Sequence, residues 1–342
     1  MVDKNICIDF EITQRCNNDC LFCYNVWKTD SSYPNGELSF INIKNLFERI
    51  INETGCKHIA ITGGEPMLRE DIFQLISFFS SSGLEIALIT NGTLLNEDAV
   101  KRCVDAGVDL FEVQLLSHNK KMHNYLCRND AFDKAVRAIR GIKINKGKVA
   151  ISFVATKINI KDAAQTAKLA LGLGVDAIYF NRFNPGGEGL KYIHEFLLTK
   201  ELLNEALEKL DKIAKEHKIK IFTTIPIPPC IIDHSLYKNI YMQVFCTAGM
   251  YYTVDSLGNL RMCNHSPTIL GNLNYEPFST LVQSKFAQEF KSAIPKTCKG
   301  CQYLSSCQGA CRAAAQVCYG NIYLEEPLIF YEMHKSTNKI CV

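Results

Sequence analysis

Cys16, Cys20 and Cys23 stand in the run RCNNDCLFCYN, a Cys-x3-Cys-x2-Cys spacing. Three thiolates this close can hold three irons of a [4Fe–4S] cube and leave the fourth iron open. Electron-carrying cubes are closed by four cysteines. An open iron binds a substrate or cosubstrate, so the spacing points to chemistry. It is a poor tetrahedral zinc site, because no fourth Cys or His lies nearby. Gly63-Gly64-Glu65-Pro66 is the next chemical feature; paired glycines let a backbone approach a ligand closely and present its carbonyls. Arg182 carries a guanidinium suited to a carboxylate. A second thiol series reads Cys246-x16-Cys263, with Gly258 five residues before Cys263, then Cys298-x2-Cys301-x5-Cys307-x3-Cys311. A zinc ribbon on Cys298 and Cys301 would leave Cys307 and Cys311 unexplained. Cys318 lies seven residues after Cys311 and shares its face if a helix continues.

The elements that must position these residues alternate. The patterns predict strands at 6–13, 58–62, 84–90, 109–116, 148–156 and 176–183, and helices at 41–54, 71–82, 96–107, 130–144, 160–172 and 198–216. Asn96 is the expected N-cap of the third helix. Strand–helix alternation argues for a parallel α/β sheet. Six strands are fewer than the eight of a closed β/α barrel, in which chemistry sits at the carboxyl ends of the strands. The cysteine triad follows strand 1, Gly63–Pro66 follows strand 2, Asn91 ends strand 3 and Arg182 ends strand 6. Gln114 and Ser152 lie on strands 4 and 5. The Pro-rich stretch 223–230 breaks helices, so a boundary is expected there, dividing the chain into 1–222 and 223–342. Beyond it cysteines cluster, and metal can replace a large apolar core.

Of 342 residues, 47% are hydrophobic and the net charge is +3. This fits a buried globular protein and gives no basic groove for nucleic acid. The N-terminus lacks a signal-peptide h-region, and no apolar run is long enough to span a membrane. Sixteen cysteines then indicate a reduced, metal-rich cytoplasmic protein.

The triad, with the aromatic Tyr24 after it, resembles the signature of the radical S-adenosylmethionine (SAM) superfamily. Gly63, Gly64, Glu65 and Pro66 resemble its GGEP motif. The resemblance implies a partial (β/α)6 barrel and an open iron chelated by SAM. It also implies a SAM-binding face formed by Tyr24, the GGEP backbone, Asn91, Gln114, Ser152 and Arg182, the last pairing with the SAM carboxylate. The C-terminal thiols, with Cys246-Thr-Ala-Gly249 and Cys311-Arg-Ala-Ala-Ala315 around them, resemble the SPASM domain, which carries two auxiliary iron–sulfur clusters. On that likeness Cys298, Cys301, Cys307 and Cys318 hold one, with Cys341 as the substitute for Cys318. Cys246, Cys263, Cys311 and an unassigned fourth ligand hold the other. Three positions depart from the family pattern. Tyr252 and Ile329 stand where cysteine ligands occur, and Asn264 replaces the catalytic Asp of sulfatase maturases. Asn cannot serve as a general base, so formylglycine formation is disfavoured. His118 and His123 are read as surface-loop histidines. Cys7, Cys56 and Cys103 are read as packing thiols, while Cys127 and Cys230 are candidate hydrogen-atom donors.

The resemblance implies an enzyme that generates a 5′-deoxyadenosyl radical to abstract hydrogen. A flavodoxin- or ferredoxin-type reductant is the expected electron source. The favoured substrate is a ribosomally made peptide that is oxidised or receives a C–C or thioether cross-link. Strand 1 begins close to Met1, so a separate leader-recognition protein or direct leader binding is expected. The alternatives are a small-molecule or tetrapyrrole oxidase or decarboxylase, and an iron–sulfur electron carrier that cleaves no SAM.

Overall fold

The computed structural model describes residues 6–334. Six strands open the chain: β1 (Cys7–Glu11), β2 (His58–Thr62), β3 (Glu85–Thr90), β4 (Leu110–Gln114), β5 (Val149–Ala155) and β6 (Ala177–Arg182). Between them run α1 (Phe40–Thr54), α2 (Ile72–Ser81), α3 (Glu97–Ala106), α4 (Lys120–Cys127), α5 (Phe132–Ile144) and α6 (Ala163–Gly172). Helix α1 starts because Ser39 accepts the Asn42 N–H, and it ends at Gly55 in the left-handed region. Its apolar side, Ile43, Leu46, Phe47 and Ile50, is buried. Asn96 caps α3 through Ala99 N at 2.8 Å, as its sequence position indicates.

The sheet does not stop at six strands. After α7 (Ile193–Phe196) and α8 (Lys200–His217) come β7 (Lys220–Phe222) and β8 (Ile240–Tyr241), and later β9 (Tyr251–Val254), β10 (Asn259–Arg261) and β11 (Ile269–Asn272). One sheet runs in the order β11-β10-β9-β1-β2-β3-β4-β5-β6-β7-β8. It is parallel from β9 through β8, and β10 and β11 are antiparallel additions at one edge. Strand β9 pairs directly with β1, in the register Cys7↔Tyr251 to Phe10↔Val254. The barrel is therefore open, and the cysteine-rich segment is sewn onto its first strand. That segment also has an apolar interior: Tyr252, Val254, Leu260, Met262 and Phe278 belong to the same core as Phe10, Phe47 and Phe79. The expectation that metal stands in for a core here is corrected by this docking. The division at 222/223 remains a proposal, since β8 and β9 beyond it join the common sheet. Short helices α9 (Phe278–Leu281), α10 (Lys285–Ser292), α11 (Leu304–Cys307), α12 (Arg312–Tyr319) and α13 (Pro327–His334) complete the fold. Among the described residues no helix is long and apolar enough to cross a membrane.

Candidate active site and thiol clusters

The cysteine loop leaves β1 at Ile12 and is held by the loop after β2. Gly64 N donates to Thr13 O at 2.7 Å and Glu65 N to Arg15 O at 2.8 Å. A Cβ on Gly64 would lie 2.0 Å from Arg15 O, and one on Gly63 (φ +129°) 2.4 Å from Thr13 O. The glycines thus permit backbone-on-backbone contact between two loops, a reason the ligand-approach argument missed. Glu65 is fully buried and is a clamp: its carboxylate accepts from Thr90 Oγ1 (2.7 Å), Asn91 N (2.8 Å) and Met67 N (3.2 Å). Asn91 donates to Asn17 Oδ1 at 2.8 Å, so its side chain holds the cysteine loop.

Cys16, Cys20 and Cys23 lie close enough to raise one another's thiols, and Lys28 faces all three. Burial pushes Cys23 up to about 12. Cys20 is raised foremost by a hydrogen bond with Cys127. Gln114 Nε2 reaches both sulfurs, at 4.0 Å from Cys20 and 3.8 Å from Cys127. Cys127 is buried with Cys20, Leu21 and Phe22 in a small apolar cluster. This places it behind one ligand of the triad.

Inside the open barrel, Asp9 of β1, Glu112 of β4, Tyr179 of β6 and Tyr251 of β9 sense one another's charge. Their strands are not neighbours except for β1 and β9, so these side chains meet across the concave face. Ser152 bonds to Glu112 there. Burial raises Asp9 to about 7. Cys7 bonds to Tyr251 on this face and is no packing thiol, unlike the buried Cys56 and Cys103.

The C-terminal thiols fall into two groups. Cys246, Cys263 and Cys311 influence one another, and burial raises all three. Asn184 Nδ2 lies 3.4 Å from Cys311 Sγ and 3.2 Å from His265 Nδ1. His265 stacks on Tyr24 with ring centroids 4.0 Å apart, and Asn264 donates to the Tyr24 hydroxyl at 3.1 Å. Tyr24 therefore links the N-terminal cysteine loop to this group. Asn184 and His265 were not singled out in the sequence; only Asn184's place just past β6 hinted at it. The second group contains Cys298, Cys301 and Cys307, whose charges Cys230 also senses.

Several sequence expectations are corrected. Arg182 is buried, its guanidinium bonded to Glu326 at 2.5 Å and to Pro226 O at 2.7 Å, so it is committed away from a SAM carboxylate. Cys318 is buried in the apolar cluster of Cys20 and Cys127, whereas Cys307 belongs to the main core; Cys341 lies outside the described residues. Cys127 is buried with Cys20 and Cys230 is exposed; a hydrogen-atom-donor role for either remains a proposal. His123 is buried on α4, accepts the Leu116 N–H at 3.2 Å, and is lowered to about 4 by burial; His118 is exposed. Tyr252 turns to the core, against Phe278 at 5.1 Å, and Ile329 is likewise buried in the core.

These thiol groups fit iron–sulfur cubes. Among the described residues no three His, Cys, Asp or Glu converge tightly enough for a single ion. A cube takes thiolates at its corners, spread around it. Iron would supply the positive charge that converts these buried thiols to thiolates. Cys16, Cys20 and Cys23 would hold the N-terminal cube.

The superfamily model "Radical SAM superfamily" matches residues 10–170, and the SPASM model, "Iron-sulfur cluster-binding domain", matches 246–302. An AdoMet-dependent heme synthase of Methanosarcina barkeri is 27% identical, over 96% of this chain and 97% of its own. A probable GTP 3′,8-cyclase of Sulfurisphaera tokodaii is 32% identical, over 74% of this chain and 79% of its own. Two solved structures share the fold. One is anSMEcpe with bound AdoMet (TM-score 0.74, 19% identity, 96% of this chain and 91% of that chain). The other is Streptococcus suis SuiB bound to precursor peptide SuiA (TM-score 0.75, 13% identity, 94% and 74%). With an open barrel, a three-thiolate loop on its first strand and a thiol-rich domain paired to that strand, the chain belongs to the radical SAM superfamily and carries a SPASM domain.

Proposed function

We propose that this radical SAM enzyme performs a net oxidation of a peptide, by removing hydrogen from an unactivated C–H bond. Together SAM and the N-terminal cube supply the hydrogen-abstracting reagent. The chain's residues hold the substrate, exclude water and lead the remaining electron away. The observation that carries the oxidative part is the Tyr24–His265 stack at 4.0 Å, with Asn184 between His265 and Cys311. It joins the triad to the Cys246/Cys263/Cys311 group through contacting side chains.

The charge of the concave face supports this substrate class. Asp9, Glu112, Tyr179 and Tyr251 offer hydrogen bonds to amides or cationic side chains. Arg261, the buried cation beside Asp9, is already paired with Glu11. A propionate-bearing porphyrin is polyanionic and would bring its carboxylates against Asp9 and Glu112. SuiB, of the same fold, was solved with its precursor peptide, which supports the reading. A tetrapyrrole substrate is the second reading, favoured by the heme synthase that matches 96% of this chain.

One experiment separates the two. Reconstituted enzyme with dithionite and SAM is given short peptides encoded beside its gene, or an iron porphyrin bearing propionates. Peptide-dependent 5′-deoxyadenosine together with a peptide lighter by two hydrogens supports the proposal. Decarboxylated porphyrin without peptide modification overturns it in favour of the second reading.

A further inference from the structure

Along β4, β5 and β6 every second residue is buried against the helices, and Glu112, Ser152 and Tyr179, which alternate with them, are half-buried and line the concave face. The register carries that face to the edge of the sheet. Ser152 pairs with Tyr179, Tyr179 with Phe222 and Phe222 with Tyr241. The three rings form a ladder, with centroids 5.7 Å apart from Tyr179 to Phe222 and 4.9 Å apart, stacked at 23°, from Phe222 to Tyr241. Strand β8 is the edge, and Tyr241 there is 59% exposed. One row lower, Glu112 faces Ala150, which faces Ala177, and Lys220 lies beyond them. The two alanines leave the floor open between Glu112 and the foot of the ladder, and Lys220 is exposed at the start of β7. Among the described residues neither Asp9 nor Glu112 makes an ion pair, while Arg261 is taken by Glu11. Thr253, in register with Asp9 on β9, is fully buried and its hydroxyl has no hydrogen-bond partner. Unpaired carboxylates and the electron-rich faces of aromatic rings attract one class of group, a cation.

We propose that the Tyr179–Phe222–Tyr241 ladder, with Glu112 at its foot, is a subsite for a cationic side chain of the substrate peptide, arginine in preference to lysine. A guanidinium is planar. It can stack on a ring face while its N–H edge reaches a carboxylate, and a lysine ammonium has no such flat face. Asp9 and the Thr253 hydroxyl, on the strands across the concave face, offer acceptors to the amides of the same peptide. The inference deepens the peptide reading above and rests on it.

The test is equilibrium binding to the reconstituted, SAM-loaded holoenzyme, measured anaerobically by titration calorimetry. The probes are N-acetyl-Gly-Arg-Gly amide and its counterparts with lysine, citrulline or glutamate in the middle. Citrulline keeps the shape of arginine and removes the charge, so the comparison needs no variant. Arginine should bind about tenfold more tightly than citrulline, with lysine between them and glutamate weakest. Glu112→Gln should remove most of the preference for arginine over citrulline, and Phe222→Leu should weaken arginine about fivefold. Equal affinity for arginine and citrulline, a preference for glutamate, or no binding of any probe up to about 10 mM overturns the proposal. So does an arginine preference that both variants retain. Binding is read without turnover, so the two readings fail separately. Peptide oxidation by an enzyme indifferent to arginine overturns the subsite alone, whereas porphyrin decarboxylation by an enzyme that still prefers arginine overturns the peptide reading alone.

Discussion

At the scale of single residues, position in the dielectric decides what each group does. Gln114 Nε2 donates to Cys20 Sγ at 4.0 Å, and hydrogen bonds to a ligand sulfur raise a cluster's potential. Gln114→Leu should therefore keep the iron of the N-terminal cube but shift its midpoint to more negative values, read by an EPR-monitored redox titration. An unchanged midpoint would show that the contact is only packing. Asp9 titrates near 7, against an ordinary value of 3.8, because burial disfavours its charge. Between those two values the folded chain holds a proton that the unfolded chain has released. Stability from this group is complete below about pH 4 and is lost as pH rises through 7. Asp9→Asn removes the titration, so its anaerobic melting temperature should fall less than the parent's between pH 5 and 8. Parallel curves would refute the assignment. Tyr24 was legible from its place after Cys23, whereas its partner His265 was not, because nothing local connects positions 240 residues apart.

Among elements, loops touching loops carry the site. Gly64→Ala puts a methyl 2.0 Å from the Arg15 carbonyl, a backbone atom that cannot swing aside. The cysteine loop must move, and the expected result is loss of SAM-dependent 5′-deoxyadenosine together with loss of about four irons from the first cube. Retained turnover would show that the loop contact is dispensable. Arg182 and Glu326 join the end of β6 to the start of α13 in a buried pair. Removing one partner strands a charge, at a cost of about 3–5 kcal/mol. Arg182→Met should be strongly destabilised, and Arg182→Met with Glu326→Leu should recover much of that loss in a denaturant titration. Additive losses would argue against a direct pair. The β/α alternation of the first six strands was legible because each strand and helix has its own hydrophobic period. Strands β7 and β8 were not, since three and two residues are too few to show alternation.

Across the whole molecule, the number and grouping of cysteines were legible, but their pairing into clusters was only partly so. Cys298, Cys301 and Cys307 announce themselves by spacing. Asn184 reaches Cys311 only because the end of β6 and the start of α12 are folded together, an arrangement that no run of local residues encodes. The same holds for Arg182, whose partner is 144 residues away, and for Tyr252, whose side of β9 is decided by pairing with β1.

That last pairing has a consequence for how the chain comes to exist. Strand β1 is made first on the ribosome, yet the neighbour on one of its flanks, β9, emerges some 240 residues later. Until then the newborn chain displays an unsatisfied row of amides and carbonyls beside the cysteine loop. Amputating everything after residue 242 would freeze the protein in that unfinished condition. The shortened chain should self-associate, visible as a large light-scattering mass, where the intact chain closes the gap from within.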